Sequence, residues 1–434
     1  MSSRVTETST LSARHWRVLA LLTFLMFISF VDRSNLSIAA PSLKYDLHLS
    51  ASELGVLLSA YFWANTLCLL PVGWLIDRFD VTWILAIGFF LWSAATTVTG
   101  LLHGFIALLL IRLLVGAAES VVYPACSKVI AGHFPEHLRG LANASIVAGG
   151  ASGPAVATFV GGTLIAQFGW RWFFVCLGLF GLPWLLLWFR WRPQENPVFA
   201  LKYRVSTGSV VKILRQRSAW GTFIGMFGGN YMLYLLVTWL PFYLVHERQF
   251  SLSSTGMIGG AAFVLKAISS IFSGHFSDRW ISSGGTPTLV RKTFLGVGLS
   301  LAGMLLVLSE FTPDQACIAL LLGASISLGL AAPHFAAVPQ TLAGPQLVGT
   351  WSSLQAFVAS FGGIVAPTLT GVVVNRTGQF FWAFILTALL GWIGAISWLF
   401  LVGPIRPVDW LEADRSSDFG ASLPEEVGRC KARG

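Results

Sequence analysis

The chain has 434 residues, of which 55% are hydrophobic and only 11% are charged, and its mean hydropathy is +0.72. A soluble domain usually carries about 25% charged residues, so this composition excludes an ordinary soluble protein and indicates an integral membrane protein. The formal net charge of +9 does not indicate a nucleic-acid partner, because the cations lie in short loops and tails between apolar runs.

Twelve apolar runs are each long enough to cross a membrane as a helix of about 20 residues. Their predicted ranges are about 16–40, 52–76, 83–102, 104–127, 139–166, 171–190, 219–246, 254–279, 292–310, 314–337, 347–375 and 378–403. The first run is too long for the core of a signal peptide, so it is predicted to be a retained helix. The sequence therefore predicts an all-α membrane protein with twelve transmembrane helices in two pseudo-symmetric six-helix bundles.

The first span contains two adjacent charges, Asp32 and Arg33. A charge at the bilayer centre costs about 2.5–3.5 kcal/mol on insertion scales, and it is usually kept for a polar pathway inside the protein. Neighbouring residues on a helix point about 100° apart, so Arg33 either faces the same pathway or belongs to an ion-pair lattice that holds helices together.

The fourth span contains Arg112, Gly116 and Glu119 at spacings that place them on one helix face. Arg112 and Glu119 lie about 10 Å apart along the axis, so each needs another partner or a cavity. The topology predicts that Arg112 lies at the depth of Asp32 and that Glu119 lies deeper. Gly116 is expected to leave room between them for water or ligand.

The ends of the second and eighth spans repeat one motif. Gly73-Trp-Leu-Ile-Asp77-Arg78-Phe79 closes the second span, and Gly274-His-Phe-Ser-Asp278-Arg279-Trp280 closes the eighth. The same string at equivalent positions indicates a duplicated six-helix unit. We expect these charges to latch neighbouring helices; the alternative is a helix end with a topogenic role alone.

Basic residues accumulate in the long polar segment between the sixth and seventh spans and in the loops on the same side. The positive-inside rule therefore predicts that both termini and this segment are cytoplasmic. The predicted organisation is a cytoplasmic tail at 1–15, a bundle at 16–190, a cytoplasmic loop at 191–218, a bundle at 219–403 and a cytoplasmic tail at 404–434.

The second half carries polar and aromatic residues where the first half carries acids. Asn230, Tyr231 and Tyr234 lie within about one turn of the seventh span, and Gln355 and Ser360 lie on the eleventh. Such groups suit hydrogen bonds to hydroxyls or carboxylates, and helix–helix hydrogen bonding is an equal alternative.

Lys266, in the middle of the eighth span, is an unexpected charge. Three roles remain open for it: extension of its ammonium toward the membrane surface, pairing with an acid, or addition of a second cation to the substrate path.

Together these motifs resemble the major facilitator superfamily and, within it, the anion:cation symporter group, over nearly the whole chain. The residues that carry the resemblance are Val31-Asp32-Arg33-Ser34-Asn35-Leu36-Ser37, Ser59-Ala-Tyr61-Phe-Trp63-Ala-Asn65-Thr66, Arg112-x-x-x-Gly116-x-x-Glu119, Asn230-Tyr231-x-x-Tyr234 and Trp239-Leu240-Pro241-x-Tyr243-Leu244. Members of this group carry organic anions, often sugar acids, together with protons.

The resemblance implies roles for individual residues. Asp32 and Glu119 match the proton-coupling acids, and Arg33 and Arg112 match the cations that face the anion. The residues expected to bind substrate are Arg33, Arg112, Tyr61, Asn65, Asn230, Tyr231, Tyr234, Gln355 and Ser360, and those expected to gate are Asp77, Arg78, Asp278 and Arg279.

Three positions depart from the sugar-acid carriers of this group, which have a tyrosine at the position of Asn65, a glutamine near Gly150 and an asparagine near Ser360. Fewer large hydrogen-bonding side chains make a roomier, less polar pocket, so an aromatic or short-chain carboxylate is the alternative to a sugar acid. Sugar acids stay ahead because the charged residues of the group are present.

The sequence thus predicts a secondary active transporter, not an enzyme, that takes up an organic carboxylate with protons by alternating access. The absence of a P-loop string disfavours ATP-driven transport, and a membrane sensor or scaffold of the same fold is the second hypothesis. Its expected partners are a small organic anion, protons and membrane lipid, with no nucleic acid, no cofactor and no metal. We expect a monomer in a bacterial inner membrane.

Overall fold

A computed structural model describes residues 13–193 and 209–410 of the protein, and it is helical almost throughout, with no β-strand in these ranges. Fourteen α-helices follow one another in these residues: α1 Ala13–Asp46, α2 Ala51–Arg78, α3 Val81–Thr99, α4 Phe105–Glu119, α5 Val122–His133, α6 Arg139–Gly181, α7 Pro183–Trp191, α8 Ser209–Leu214, α9 Arg217–His246, α10 Leu252–Ser282, α11 Pro287–Leu308, α12 Asp314–Ala331, α13 His334–Thr377 and α14 Phe380–Ile396.

These helices make twelve membrane spans. Some spans consist of more than one helix, and two helices each contain a reversal and so contribute to two spans. Span 4 consists of α4 and α5, and span 12 continues from α14 into a π-helical turn, Ser397–Leu401. The helix α6 reverses at Gly169 (φ 80°) into spans 5 and 6, and α13 reverses at Gly344 (φ 64°), completing span 10 and forming span 11. Glycine adopts this positive-φ conformation without the steric cost that other residues incur.

Within residues 13–193 and 209–410, hydropathy identifies ten stretches that are long and apolar enough to cross a membrane. One of them, the 64-residue stretch Asp314–Thr377, contains the reversal at Gly344 and so crosses twice. The remaining span is the first limb of α6, which is rich in glycine, alanine and serine. The described residues therefore form the twelve spans that the apolar runs predict.

Each half of the chain packs around its own apolar core. In the first half, Phe89, Trp92, Trp184 and Trp188 are each exposed by 1% or less. In the second half, the corresponding core contains Tyr243, Trp351 and Trp398. Many large apolar side chains on the outer surface are exposed instead, as expected for residues that contact lipid.

The two bundles contact each other at one face of the protein. This terminal face contains the loops at 79–80, 134–138 and 283–286 and the turn at Gly344, and the opposite face contains the loops at 47–50, 247–251 and 378–379. A Cβ atom at Gly73 would lie 2.6 Å from a side chain of span 11, and one at Gly274 would lie 2.5 Å from the backbone of span 5. These glycines thus allow close approach of the bundles.

The same two helices have open space beside them nearer the opposite face. A Cβ atom at Gly55 on span 2 or Gly256 on span 8 would meet no atom within 4 Å. The gap between the bundles is therefore closed at the terminal face and widens toward the opposite face.

The predicted spans match these helices in order, and the helix ends differ by a few residues. The segment predicted as the loop at 191–218 contains the short helix α8 in its described part, and span 7 already begins at Arg217. The rest of that loop at 194–208, most of the tail predicted at 404–434, and residues 1–12 lie outside the described residues.

Candidate functional site

A buried polar cluster lies inside the first bundle, between spans 1, 2, 3 and 4. Its members are Ser29, Asp32, Arg33, Asn35, Tyr61, Trp92, Thr96, Arg112 and Glu119. Only 3% of Asp32, 3% of Arg112 and 1% of Glu119 are exposed. The spans predicted to carry charges thus bring them into one cluster at membrane depth.

Neutral donors hold the carboxylate of Asp32. Asn35 donates to Oδ1 over 3.0 Å from one turn along span 1, and Thr96 donates to the same oxygen over 3.4 Å. The indole of Trp92 donates to Oδ2 over 2.9 Å. In the described residues no cation lies within 4.0 Å of this carboxylate, so its charge is not compensated by a direct ion pair.

Arg112 reaches Asp32 indirectly. Its Nη2 donates to Oδ1 of Asn35 over 2.7 Å, and its guanidinium lies 5.7 Å from the ring centre of Phe174. Its Nε has no hydrogen-bond partner in the described residues. Arg112 is thus a nearly fully buried member of the cluster, between Asn35 of span 1 and the ring of Phe174.

Arg33 and Glu119 form the ion pair of the cluster. Nε of Arg33 donates to Oε1 of Glu119 over 2.9 Å, and Ser29 donates to the same oxygen. The side chain of Arg33 is 25% exposed and that of Glu119 is 0% exposed, whereas Oε2 of Glu119 has no hydrogen-bond partner in the described residues. The pair therefore has an accessible cationic side and a buried acidic side.

Aromatic residues from both bundles surround Arg33. Its guanidinium lies 4.7 Å from the ring centre of Phe30 and 5.8 Å from that of Tyr61, and Tyr234 is also near it. Tyr234 belongs to span 7, in the second bundle. Arg33 thus lies at the side of the first bundle that borders the gap, near Tyr234 of the second bundle.

The space expected beside Gly116 is not there, and that expectation is wrong. A Cβ atom at Gly116 would lie 2.3 Å from the backbone oxygen of Tyr61, so span 2 fills the position. Asn65 donates to the backbone oxygen of Gly116 over 3.1 Å and joins the same two helices. The glycine therefore allows spans 2 and 4 to approach closely, and Asn65 holds them together.

The polar residues predicted on spans 7 and 11 are partly bonded within the second bundle. Asn230 donates to a backbone oxygen of span 11 over 3.3 Å, and Ser360 donates to its own helix over 2.8 Å. Gln355 is fully buried and donates to backbone oxygens of spans 7 and 10 over 3.3 and 3.1 Å. Tyr231 is also fully buried, so Asn230, Tyr234 and Ser360 are the members of this set that keep accessible surface.

The acids of the repeated motif connect the two bundles. Asp77 accepts the backbone N–H groups of Gly349 (2.9 Å) and Thr350 (2.6 Å), at the start of span 11. Asp278 accepts two backbone N–H groups at the start of span 5 over 2.9 and 2.7 Å. Each carboxylate therefore caps a helix of the other bundle, where the helix dipole is positive.

The cations next to these acids come from other spans. Nζ of Lys128 on span 4 lies 3.5 Å from Asp77, and Nη2 of Arg291 on span 9 donates to Asp278 over 3.1 Å. Arg78 and Arg279 are exposed, and neither has an ion-pair partner within 4.0 Å in the described part of the chain. The structure thus brings the motif acids into the interface and leaves the motif arginines outside it.

Further polar contacts at this interface were not predicted. Asn143 on span 5 and Gln340 on span 10 exchange amide hydrogen bonds over 2.9 and 3.0 Å, and Gln340 also donates to Ser127 over 3.2 Å. In the sequence, Asn143 and Gln340 are each a single amide within an apolar run, and such an amide does not show which residue it will bond to. In the described residues no three His, Cys, Asp or Glu side chains are grouped to hold a metal ion.

The comparison with protein families gives one match over most of the chain. A family model described as Major Facilitator Superfamily matches residues 22–367.

Several bacterial transporters align with nearly the whole chain. A hexuronate transporter of Bacillus subtilis is 31% identical over 394 residues, covering 87% of this chain and 92% of its own. A probable L-galactonate transporter of Escherichia coli is 28% identical over 403 residues, covering 88% of each chain. An uncharacterised Bacillus subtilis transporter, YybO, is 29% identical over 418 residues, covering 91% of this chain and 95% of its own.

Solved structures share the fold at low sequence identity. The transporter FucP in its outward conformation aligns with a TM-score of 0.72 at 15% identity, covering 88% of this chain and 98% of that one. A variant form of the same Escherichia coli fucose:proton symporter aligns with a TM-score of 0.67 over the same shares.

Proposed function

The chain belongs to the major facilitator superfamily of membrane transporters, and we propose that it takes up a sugar acid or a related organic carboxylate together with protons. Relatives covered over nearly their whole length are named hexuronate, galactonate and galactarate/D-glucarate transporters. The polar cluster supplies the charges that such a substrate and proton coupling require.

The observation that carries this proposal is the ion pair between Arg33 and Glu119. The guanidinium is accessible on one side, and the carboxylate is buried with one oxygen unpartnered. An entering carboxylate can engage the donors of Arg33, because a guanidinium matches a carboxylate with two parallel hydrogen bonds. Glu119 then loses its counter-charge in a low-dielectric site and binds a proton more readily.

Asp32 provides a second proton site in this scheme. Its three hydrogen-bond donors are neutral, and its nearest connection to a cation runs through Asn35 to Arg112. A carboxylate in such surroundings is able to exchange a proton without breaking an ion pair. We propose that Asp32 and Glu119 hold the transported proton in turn and that Arg112 holds Asn35 and Asp32 in place.

Alternating access fits the arrangement of the two bundles. Contacts of Asp77, Asp278 and the Asn143–Gln340 pair close the terminal face, and the gap widens toward the opposite face. Transport requires these contacts to break while the opposite face closes. We propose that they latch the terminal face, and that one chain suffices because the polar cluster is complete within it.

The distribution of arginines supports an orientation in the membrane. Arg14, Arg17, Arg190 and Arg192 line one cavity of about 460 Å³ at the terminal face. Basic residues near membrane helices favour the cytoplasmic side. We propose that the terminal face and both termini are cytoplasmic, that the gap opens outward, and that the protein lies in a bacterial inner membrane.

Uptake into proteoliposomes tests the function directly. We expect the purified protein to concentrate a labelled sugar acid, with D-galactonate and D-glucuronate as the probes, under an inward proton gradient. Glu119→Gln should abolish this accumulation. Glu53, which lies outside the polar cluster and caps span 2 at the opposite face, provides the control variant Glu53→Gln, which should accumulate substrate normally. Accumulation by Glu119→Gln at the wild-type level would refute the coupling.

An aromatic or short-chain carboxylate is the alternative substrate, and the rings of Phe30 and Tyr61 beside Arg33 favour it. A thermal-shift panel of sugar acids, benzoates and short-chain acids separates the two, since a ligand stabilises according to its concentration relative to its dissociation constant. Stabilisation by a carboxylate without any flux in proteoliposomes would favour a sensor instead.

A further inference from the structure

Lys266 is a cation at the middle of a membrane span. It lies 14 residues after the start of α10 (Leu252–Ser282) and 16 before its end, about 21 and 24 Å from the two ends. A four-carbon stem cannot extend the ammonium over either distance to the membrane surface. A lysine at this depth is costly, which makes a functional role the first hypothesis.

The side chain points away from lipid. Val264, Ile268 and Phe272 are 57%, 58% and 54% exposed and define the lipid-facing side of the helix. At 100° per residue, Lys266 lies about 160° from the middle of that side. Span 10 packs against its backbone, since a Cβ atom at Gly329 would lie 3.1 Å from the Cα atom of Lys266. Lys266 therefore faces the interior of the protein.

No residue in the described part of the chain neutralises this cation. Its ammonium forms no hydrogen bond and no ion pair there. The residue is partly buried, and its Nζ keeps some accessible surface. The ammonium thus keeps contact with open space without a counter-charge.

Open space leads from the opposite face to Lys266. Gly259 lies on the same helix face as Lys266, two turns nearer to the opposite face, and a Cβ atom there would meet no atom within 4 Å. Gly256, on the adjoining side, is equally open. At the other end of the same helix, Gly274 is in close contact with span 5. A ligand entering the gap from the opposite face can therefore reach Lys266.

Arg33 lies at a matching depth in the other bundle. It is 13 residues before the end of α1 at the opposite face, or about 20 Å, against about 21 Å for Lys266. Arg33 already has an acidic partner in Glu119, whereas the counter-charge for Lys266 has to come from a ligand. An unpaired charge in a low-dielectric site is unfavourable, so an anion that supplies it gains affinity.

Building on the proposed function, we infer that Lys266 binds the second carboxylate of a dicarboxylate substrate whose first carboxylate engages Arg33. The substrate class is then a diacid, such as a sugar diacid, held between the two bundles by one cation from each. A point charge suits this role, since a lysine can follow a carboxylate whose position varies with chain length.

Matched pairs of acids test this inference. D-Glucarate and D-gluconate, galactarate and D-galactonate, and succinate and butyrate differ by one terminal carboxylate at equal carbon number. Binding of each to the purified wild-type protein should show at least a tenfold preference for the diacid in at least one pair. In Lys266→Met that preference should disappear, while the affinity for the monoacid of the same pair stays within twofold.

Two further variants separate this role from a structural one. Lys266→Arg should keep part of the preference. Arg376→Gln, which removes an exposed cation of span 11 near the opposite face, should keep all of it. The melting temperature of Lys266→Met should also be unchanged. Together with the unchanged monoacid affinity, it shows that the variant is folded.

The outcomes distinguish this inference from the function on which it rests. Wild-type protein that binds the monoacid and the diacid of every pair equally, or a preference that survives in Lys266→Met, would overturn the diacid site and leave carboxylate transport intact. Absence of binding by all six acids and by D-glucuronate would overturn the proposed function and the diacid site together.

Discussion

At the scale of single residues, the polar cluster separates an accessible cation from a buried one. The side chain of Arg33 is 25% exposed, and its Nε donates to Glu119. Arg112 is 3% exposed, and it donates to Asn35. Both arginines lie at membrane depth, but their surroundings differ, and we propose that Arg33 contacts the substrate directly and that Arg112 supports Asn35.

Replacing either arginine should weaken substrate binding, for a different physical reason in each case. Arg33→Gln should weaken the binding of D-galactonate or D-glucarate at least tenfold, because it removes the accessible guanidinium and its paired hydrogen-bond donors. Arg112→Lys should also weaken binding, since a point charge cannot replace the guanidinium that reaches Asn35. Calorimetric titration measures both. Unchanged affinity in Arg33→Gln would remove this residue from the site, and wild-type affinity in Arg112→Lys would show that its geometry is not required.

Asp32→Asn should uncouple transport from protons. The amide keeps the size of the side chain but cannot bind and release the transported proton, so uphill uptake under a proton gradient should be lost. Exchange of labelled for unlabelled substrate at equal pH should continue, because no net proton movement is needed. Uphill uptake in both Asp32→Asn and Glu119→Gln would contradict the assignment of these acids to coupling.

At the scale of elements, the depth of the charges could be predicted and their partners could not. An apolar run fixes where Asp32 lies along span 1, since the run has to match the bilayer thickness. Arg33 follows Asp32 directly but points elsewhere and meets Glu119, 86 residues later in the chain. The packing of distant helices determines which charged residues pair, and the residues around each charge in the sequence do not reveal that packing.

The same limit applies to spaces and to distant cations. Gly116 is read equally well as a void or as a close helix contact, and only the position of span 2 shows that it is a contact. Arg291 follows a loop in the sequence, a position typical of a topogenic charge, yet it is fully buried beside Asp278. The motif acids could be predicted from their repetition, whereas the helix ends that they cap in the other bundle could not.

The close contact at Gly274 gives a prediction at this scale. Its Cβ would lie 2.5 Å from the backbone of span 5, so Gly274→Ala should push spans 5 and 8 apart at the terminal face and lower the population of the present conformation. Gly256→Ala, on the same helix with open space beside it, is the matched control. Distance distributions between spin labels on the two bundles measure both, and equal distributions would contradict the proposed close packing.

At the scale of the whole molecule, two equivalent contacts hold the bundles together at the terminal face. Asp77 and Asp278 are 9% and 5% exposed, and each accepts two backbone hydrogen bonds from the other bundle. Exposed ion pairs contribute about 0–1 kcal/mol, but hydrogen bonds to charged groups contribute about 1.5–3 kcal/mol. Burial therefore makes these acids the stronger part of the motif, compared with exposed Arg78 and Arg279.

Neutralising the two acids should shift the conformational equilibrium without abolishing substrate binding. A contact present in one state biases the equilibrium by its differential free energy. Loss of about 1.5 kcal/mol corresponds to a shift of roughly tenfold. Ser127 is buried at the interface beside Gln340, so labelling of Ser127→Cys in a background without other reactive cysteines reports opening of the terminal face.

We expect Asp77→Asn and Asp278→Asn to raise this labelling rate about tenfold each, and the double variant to raise it further because the two contacts are separate. Arg78→Gln is the matched control, since Arg78 adjoins Asp77 in the motif but lies exposed beside the ring of Trp74; it should leave the rate nearly unchanged. Substrate affinity in the acid variants should change much less than labelling. An unchanged rate in both acid variants would mean that the contacts at the terminal face do not set the equilibrium, and the motif would then serve only to fix the helix ends.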